Sequence, residues 1–430
     1  MMKNTELETS DKQTWLSEKR KLSLERFNEQ PLPRRGLNLW RYTDPNKFIA
    51  VPNTAGVEAK TGRQPPGAEN EKKNLANGHL AALAVDFACR EIGVEMGSEA
   101  RSKGVVVSSL SAAVLSHPEI VEKYLYSLIN DQFGKFEAMN GAMWNDGIFV
   151  YVPKNITIEK PIHLVRESAE AGASQFPRLL IVIGENAEAT IIDEYRGGSL
   201  DSDKAPTQSN GAVEIIGLAN SRTRYVSLQR QGSGVNAYLT HRARIEKSAT
   251  MLTIPLAFGG STTKQNFGVI LDGQGADSKM AGLLFGTDYQ HFDNHTLHHH
   301  SAGQTTSNIN FKVVLKDKAH SAYTGLIRID KTAKTCAAYQ ENRNLLLNPG
   351  TKAETVPELE ILNEDVSCTH GATVGPIDPL QLFYLSCRGI AHKDAVRMIV
   401  SGYVASTFGL LPEDLREQIS AYVTARLEEI

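Results

Sequence analysis

The sequence predicts a mainly β protein: a long core of short strands coiled back on themselves, with a helical region before it and another after it. From Asp146 onward, short β-branched runs are split by Gly, Asn, Asp and Lys turns, with no useful helical period until Pro376. That excludes a doubly wound α/β fold, which needs a crossover helix after most strands. A weak repeat of a turn residue followed by a small one runs through the same stretch, and a helical period returns after it.

The elements follow in order. Residues 1–145 read as mostly helical. The segment "PLPRRGLNLWRYTDPNKF" is punctuated by prolines, and Trp40 and Tyr42 are expected to anchor it onto a neighbouring face, with an aromatic in a ligand site as the alternative. "VEAKTGRQPPGAENEKKN", residues 57–74, has the polar, Gly/Pro-rich composition of a loop or linker. "HLAALAVDFACREI" spaces Leu80, Leu83, Ala84, Phe87 and Ala88 as a buried helix face would, with Cys89 as a small core residue. "HPEIVEKYLYSLINDQFGKFEAMN" has the same period and places Pro118 in a first turn. Between them, "EIGVEMGSEARSKGVVVSSLSAAV" suggests a strand or two.

Residues 146–375 read as the β core. In the repeat, Ala187, Ala249, Ala276, Ala319 and Ala333 hold the small position, and Gly282 and Gly325 follow Ala276 and Ala319 at the same offset. From Ala319 the pattern continues to Ala333, Lys352 and Val366 in alternating short and long steps. Alternation is what a strand solenoid gives when successive turns fall on alternate sides. One β turn cannot bury its apolar face, whereas stacked turns share a continuous narrow core. A β-sandwich is the rival. Residues 376–430 read as a C-terminal helical domain, with Leu382, Phe383, Leu385, Ala395, Val396, Ile399 and Val400 in one pattern. A last helix after Pro412 has Leu415, Ile419, Tyr422, Val423 and Leu427 on one side. These helices would cap the core or hold a partner.

Forty-six Lys and Arg against forty-nine Asp and Glu give a formal charge of -3, so no basic field is available for nucleic acid or an anionic membrane. The four cysteines, Cys89, Cys336, Cys368 and Cys387, show neither CxxC spacing nor disulfide-scaffold density, as expected in a reducing compartment. No signal-like apolar start and no long apolar run is present, so the expectation is a soluble cytoplasmic protein.

The motifs of nucleotide and hydrolase chemistry are missing: no GxxxxGK[ST], no GxGxxG after a strand, no GxSxG and no HExxH. "AFGGST" at 257–262 lacks the spacing and lysine of a phosphate loop and reads as a turn. "HFDNHTLHHH" presents His291, His295, His298, His299 and His300 as a candidate metal site, with adventitious surface binding or strand-edge packing as the weightier alternative. In "DVSCTHGATVG", Cys368 and His370 would project from one face of a strand, about 7 Å apart along the chain. Two such ligands suffice only for a site completed from elsewhere. A buried thiol beside a satisfied histidine is the bland alternative.

The run "YQENRNLLLNPGTKAETVPELEILNEDVSCTHGATVGPIDPLQLFYLSCRGI", residues 339–390, resembles the SufB/SufD family of iron–sulfur cluster assembly proteins, and "CTHGATVG" is most similar to its SufD branch. "GGSTTKQNFGVILDGQGADSKMAGLLFG", "DNHTLHHH", "AMNGAMWNDGIFVYVPKNI" and "LNLWRYTD" extend the likeness over nearly the whole chain. The resemblance implies a right-handed parallel β-helix core between helical N- and C-terminal regions. It implies a non-catalytic scaffold that pairs with a SufB-like paralogue and docks a SufC-like ABC ATPase through the C-terminal helices. That ATPase would hydrolyse the nucleotide, and none would bind this chain. A homodimer in isolation is a further expectation.

Carried over by position, His370, and with it Cys368, would face the paralogue and share a transient iron or iron–sulfur cluster with it. This chain departs from the family where Lys264 stands for a frequent arginine, losing a bidentate fork. Thr369 stands for a common serine, and Asn38 for a glutamate. Asp293, Thr296 and His300 fit a family pattern, whereas His295 and His298 do not. The alternatives to a scaffold are a metal-binding protein or metal-dependent enzyme built on residues 291–300, or a structural adaptor without metal chemistry.

Overall fold

The computed structural model describes residues 2–36, 38–49, 68–89, 91–200 and 205–428. The N-terminal part contains helices α1 (Met2–Glu29) and α2 (Ala68–Ala76), then β1 (Ala82–Phe87), β2 (Glu91–Met96), α3 (Ser98–Ser102), β3 (Val106–Ser109), α4 (Leu110–Ser116), α5 (Pro118–Tyr124) and α6 (Lys135–Met143). The strand region continues with β4 (Ile148–Val152), β5 (Ile162–Ser168), β6 (Ser174–Gln175), β7 (Arg178–Ile183), β8 (Glu188–Gly197), β9 (Thr207–Gly217), β10 (Arg222–Gln229) and β11 (Val235–Ile245). After these come β12 (Thr250–Ala257), β13 (Thr262–Leu271), β14 (Asp277–Gly286), β15 (His291–His300), β16 (Thr306–Leu315), β17 (His320–Ile329), β18 (Cys336–Leu346), β19 (Lys352–Ile361) and β20 (Val366–Pro376). The C-terminal part holds α7 (Pro379–Cys387), α8 (His392–Phe408) and α9 (Glu413–Glu428).

Successive long strands alternate between two sheets. One runs β2-β1-β5-β8-β10-β12-β14-β16-β18-β20 and the other β19-β17-β15-β13-β11-β9-β7-β4-β3, with the short β6 beside β9. Except for the antiparallel pairs β1/β2 and β3/β4, every pairing is parallel. This is a parallel β-solenoid, and the alternation excludes the sandwich. Its floor is a single apolar column, from Ile162, Ile181 and Ile191 through Val213 and Ile245 to Val269 and Leu271.

The small-residue repeat marks one corner of each turn. Asn186, Ser248 and Gly275 take positive φ (55°, 55° and 75°), and Ala187, Ala249 and Ala276 follow them directly. At two of these corners the backbone N–H bonds to the carbonyl one turn on: Asn186 to Ala219 O at 3.0 Å and Ser248 to Gln274 O at 3.0 Å. Asparagine side chains add a ladder: Asn220 Nδ2 donates to Asn186 Oδ1 at 3.0 Å and Asn186 Nδ2 to Asn155 Oδ1 at 2.8 Å. Two members of the repeat sit elsewhere. Ala319 lies at the opposite corner, behind Asp317 (φ 62°), and Ala333 precedes its corner residue Thr335 (φ 57°). There the small buried place belongs to Cys336, whose sulfur lies 3.2 Å from Thr305 Oγ1 one turn below.

The structure corrects two expectations. "HLAALAVDFACREI" is not a helix: β1 pairs in parallel with β5 and antiparallel with β2, and Ala82, Leu83 and Ala84 are at most 1% exposed. Both faces of this strand are covered, so its apolar run is continuous and mimics a helical stripe. β1, β2 and β3 also join the two sheets, so strands of the β body are present before residue 146, among the helices of that region. The loop expected over 57–74 ends in α2; its first part, 57–67, lies outside the described residues.

Two helical layers clothe the solenoid. Trp40, Phe48, Val121, Tyr124, Phe136 and Trp144 pack on Phe149, Leu180, Val182 and Tyr238 of one sheet. Glu214 ties that layer down, accepting from the N–H groups of Tyr126, Leu128 and Ile129 (2.9, 2.8 and 3.1 Å) and from Arg178 Nη2 (2.7 Å). On the other sheet, Val396, Val400, Val404, Leu415, Ile419 and Val423 pack against Ile192, Val226, Leu228, Ile254, Leu256 and Leu283.

Candidate functional site

The solenoid finishes on an uncovered turn. β19 and β20 each have one hydrogen-bonded neighbour, β17 and β18, and no further described strand lies beyond them. Buried turns such as β13 give way here to a half-exposed β19 and a mostly exposed β20. The two edges differ. β19 carries Lys352, Glu354, Glu358 and Glu360 and has Pro357 in its middle, devices that discourage strand addition. β20, from Val366 to Pro376, has no Lys, Arg, Asp or Glu. Val374, 44% exposed, stands on it, and Leu362, in the turn that leads into it, is 50% exposed.

Cys368 and His370 lie on this unprotected strand, in register with Ala338 and Gln340 of β18. Cys368 faces inward with Val366, against a cluster of Ile327, Ile329, Ala338 and Leu359. Burial pushes its thiol pKa up, so it is held as the thiol at neutral pH. His370 is two residues on, on the same face by strand alternation, and is exposed because no later turn covers it. The sequence placed the pair on one strand face, and the fold adds that the face is the open end of the stack.

The five histidines of β15 do not converge. His298 and His300 point into the solenoid, both fully buried, with His298 Nε2 3.1 Å from Ser278 Oγ and His300 between Thr305 Oγ1 (2.6 Å) and Ser307 Oγ (2.8 Å). Burial, aided by His300 at His298 and by His299 at His300, drops their pKa values to about 3 and about 4. His299 faces out to Asp330 Oδ2 at 2.8 Å. On the outer face His295 Nε2 lies 2.8 Å from Asp293 Oδ1, and His291 reaches Thr43 Oγ1 (2.8 Å) and His320 Nδ1 (3.0 Å). Among the described residues no group of three or more His, Cys, Asp or Glu side chains is placed to hold a metal ion.

Sequence reasoning missed a buried ion pair under the N-terminal segment. Lys264 Nζ lies 2.8 Å from Asp293 Oδ2, which also accepts from Thr43 Oγ1 at 2.5 Å, and the lysine sits 4.9 Å from the Trp40 ring. Burial favours the neutral acid, yet Lys264 and His295 outweigh it and hold the Asp293 carboxyl well below its ordinary range. Trp40 stacks on Tyr238 at 5.6 Å and is 5% exposed, so its anchoring role is the structural one. Tyr42 is half-buried beside Arg41.

A second exposed feature is α7. Its capping residue Asp378 accepts from Leu380 N at 2.9 Å, yet none of its residues is buried. Leu380, Phe383 and Tyr384 are 74%, 68% and 57% exposed, and Leu380 and Tyr384 share a shallow apolar pocket with Ile399 of α8. Such a cluster on a docked helix marks an interaction surface. No described helix is long and apolar enough to cross a membrane.

Residues 165–403 match the family described as "SUF system FeS cluster assembly, SufBD core domain", and residues 92–164 match the "SufBD protein N-terminal region". The chain is 25% identical over 419 residues to an "Iron-sulfur cluster assembly SufBD family protein" of Staphylococcus saprophyticus, covering 96% of this chain and 90% of the relative. A protein of the same description from Staphylococcus aureus is 26% identical over 424 residues, with the same coverage.

Proposed function

Because this chain belongs to the SufBD family of iron–sulfur cluster assembly proteins, we propose that it is a SufD-type scaffold subunit. It pairs with a SufB-like paralogue through the last turn of the solenoid and docks a SufC-like ABC ATPase on α7 and the neighbouring surface of α8. The observation that carries this reading is the unfinished turn: an uncharged edge strand, β20, that also presents His370 and Cys368 to whatever covers it.

In this role the chain contributes a half-site. The His370 imidazole, neutral when it ligates, would meet ligands on the paralogue, with Cys368 behind it; the nascent cluster or its iron is cargo. Ligands divided between two chains make cluster formation depend on assembly and let relative motion release the product. Nucleotide-driven movement must then stabilise one arrangement over the other. The extended packing of α8 and α9 on the β body would carry such movement from α7 to the solenoid. ATP hydrolysis belongs to the partner.

The test is co-expression with a SufB-like and a SufC-like protein, anaerobic purification, and measurement of subunit ratio, iron and sulfide. His370→Ala is expected to preserve the complex and lose most of the iron. Retention of iron and of cluster assembly by an intact His370→Ala complex would refute the half-site. Failure of the three chains to associate would refute the scaffold.

A further inference from the structure

Beneath His370, one turn into the solenoid, lies Gln340. Strand β18 alternates buried and exposed residues, and Gln340 falls on its buried, inward side at 0% exposure. Its Cα is the register partner of His370, so the two side chains stack on one face about 4.8 Å apart. The amide is held at one end: Nε2 donates to Gly325 O at 3.1 Å. Gly325 is the glycine of the sequence repeat, and a Cβ there would overlap both the Gln340 amide and the Tyr323 hydroxyl. The Tyr323 hydroxyl is itself engaged with Thr296 Oγ1 at 2.7 Å. With its nitrogen fixed, the other end of the amide, Oε1, is a fully buried acceptor with no partner in the protein.

An orphaned buried acceptor is costly, and in native structures such atoms find a donor. The ring on the next turn, one strand spacing away, carries a donor of the right kind: a neutral imidazole has a single N–H and one bare nitrogen, and the N–H's partner decides which is bare. Histidines that bind metal usually give their second N–H to an acceptor of this kind, which fixes the tautomer and the ring's aim.

We infer that Gln340 is a positioning residue for His370: its Oε1 takes the ring's N–H and leaves the other nitrogen's lone pair directed out of the open end. The inference deepens the half-site reading above and rests on it for its purpose, although the hydrogen bond stands or falls alone. Gln340 touches no cargo. It acts by holding one tautomer. The rival donor is Thr355 Oγ1 on β19, which is also buried without a partner.

Selective 15N labelling of histidine in the full chain, read by long-range proton–nitrogen correlation above neutral pH, tests this. His370 is one of 12 histidines and is assigned by the signals lost in His370→Gln. The wild type is expected to show one tautomer at His370. Gln340→Leu and the more flexible Gln340→Met are expected to show a mixture, Gln340→Glu, which keeps an acceptor, a single form, and Thr355→Val no change. If the distribution is the same in wild type and in whichever of the Leu and Met variants retains the wild-type fold by circular dichroism, the inference is overturned. It is equally overturned if only Thr355→Val mixes the tautomers. In the assembled complex, Gln340→Leu should weaken iron retention by about 10–100-fold, the usual scale for losing such a partner. The two readings fail separately: an intact His370→Ala complex that keeps its iron defeats the half-site, whereas an unmoved tautomer defeats the role of Gln340.

Discussion

Acid should unfold this protein through the imidazoles in its interior. His298 is fully buried, and its surroundings, Ser278 Oγ and the neighbouring His300, offer no carboxylate, so burial lowers its pKa from 6.5 to about 3. A folded value below the unfolded one means that the unfolded chain binds the extra proton between about pH 6.5 and pH 3. The stabilisation is fully present above pH 6.5 and is lost as pH falls through that window. From pH 7.5 to pH 4.5 one such ring loses about 2.7 kcal/mol, two pH units at about 1.36 kcal/mol each. His241, lowered to about 3 by burial and then by Arg242, adds a loss of similar order, and so does His300. Set against a total stability of about 5–15 kcal/mol, these rings alone are enough to bring the fold near its limit by pH 4.5. The assay is the urea midpoint of the wild type and of His298→Gln at half-unit pH steps. His298→Gln should start less stable at pH 7.5 and lose less on acidification, the difference approaching 2–3 kcal/mol by about pH 4.5. Parallel curves for the two proteins would show that the ring is not held neutral in the interior, and the reasoning fails.

Three further outcomes are expected. Gly282→Ala would drive a methyl into the Phe311 ring, which is 1% exposed, and should cost about 1–3 kcal/mol in urea unfolding, the range for overpacked cores. Glu214→Ala leaves Arg178 charged and unpaired at 0% side-chain exposure and strips three backbone N–H groups of their acceptor; a loss of about 3–5 kcal/mol is expected, seen as a lowered thermal midpoint. Phe383→Glu changes a side chain that is 68% exposed, so stability should move by less than about 0.5 kcal/mol while co-purification with the SufC-like partner falls sharply.

How much of this was legible in the sequence varies with the physics that decides each part. The corner at Ala187, Ala249 and Ala276 could be read because a left-handed residue followed by a small one is a local demand of the turn, repeated once per turn. Ala333 misled because the corner tolerates any small side chain, and Cys336 serves there. β1 was misread because a strand covered on both faces loses its period of two, and nothing local then separates it from a helix. The histidines of β15 looked like one cluster because sequence spacing does not say which side of a sheet is interior. Alternation sends His298 and His300 inside and His299 out, and only the fold assigns those sides. Lys264 and Asp293 were invisible as a pair because they meet across two strands under a segment more than 200 residues away in the chain, at Thr43.

Cys368 and His370 were found through their own motif, yet what makes them available has little to do with either residue. A completed solenoid would bury that strand under another turn, and the pair would be two more inward groups like Ser307 and Ile309. Their availability comes from where stacking stops, and stopping is costly, since it leaves backbone groups of an edge unpaired. β19 meets that cost with charge and a mid-strand proline, whereas β20 has no charge and a proline only as its last residue. An edge left bare beside one that is guarded is selective: strand addition is blocked on one sheet and open on the other, so a partner would approach in one orientation. A second copy of this chain presents the same bare edge and can self-pair; a paralogue differs by adding the ligands that a half-site lacks. On the scaffold reading proposed above, the competition between these two partners would be decided by cargo as much as by contact area, and iron should shift the balance toward the mixed pair.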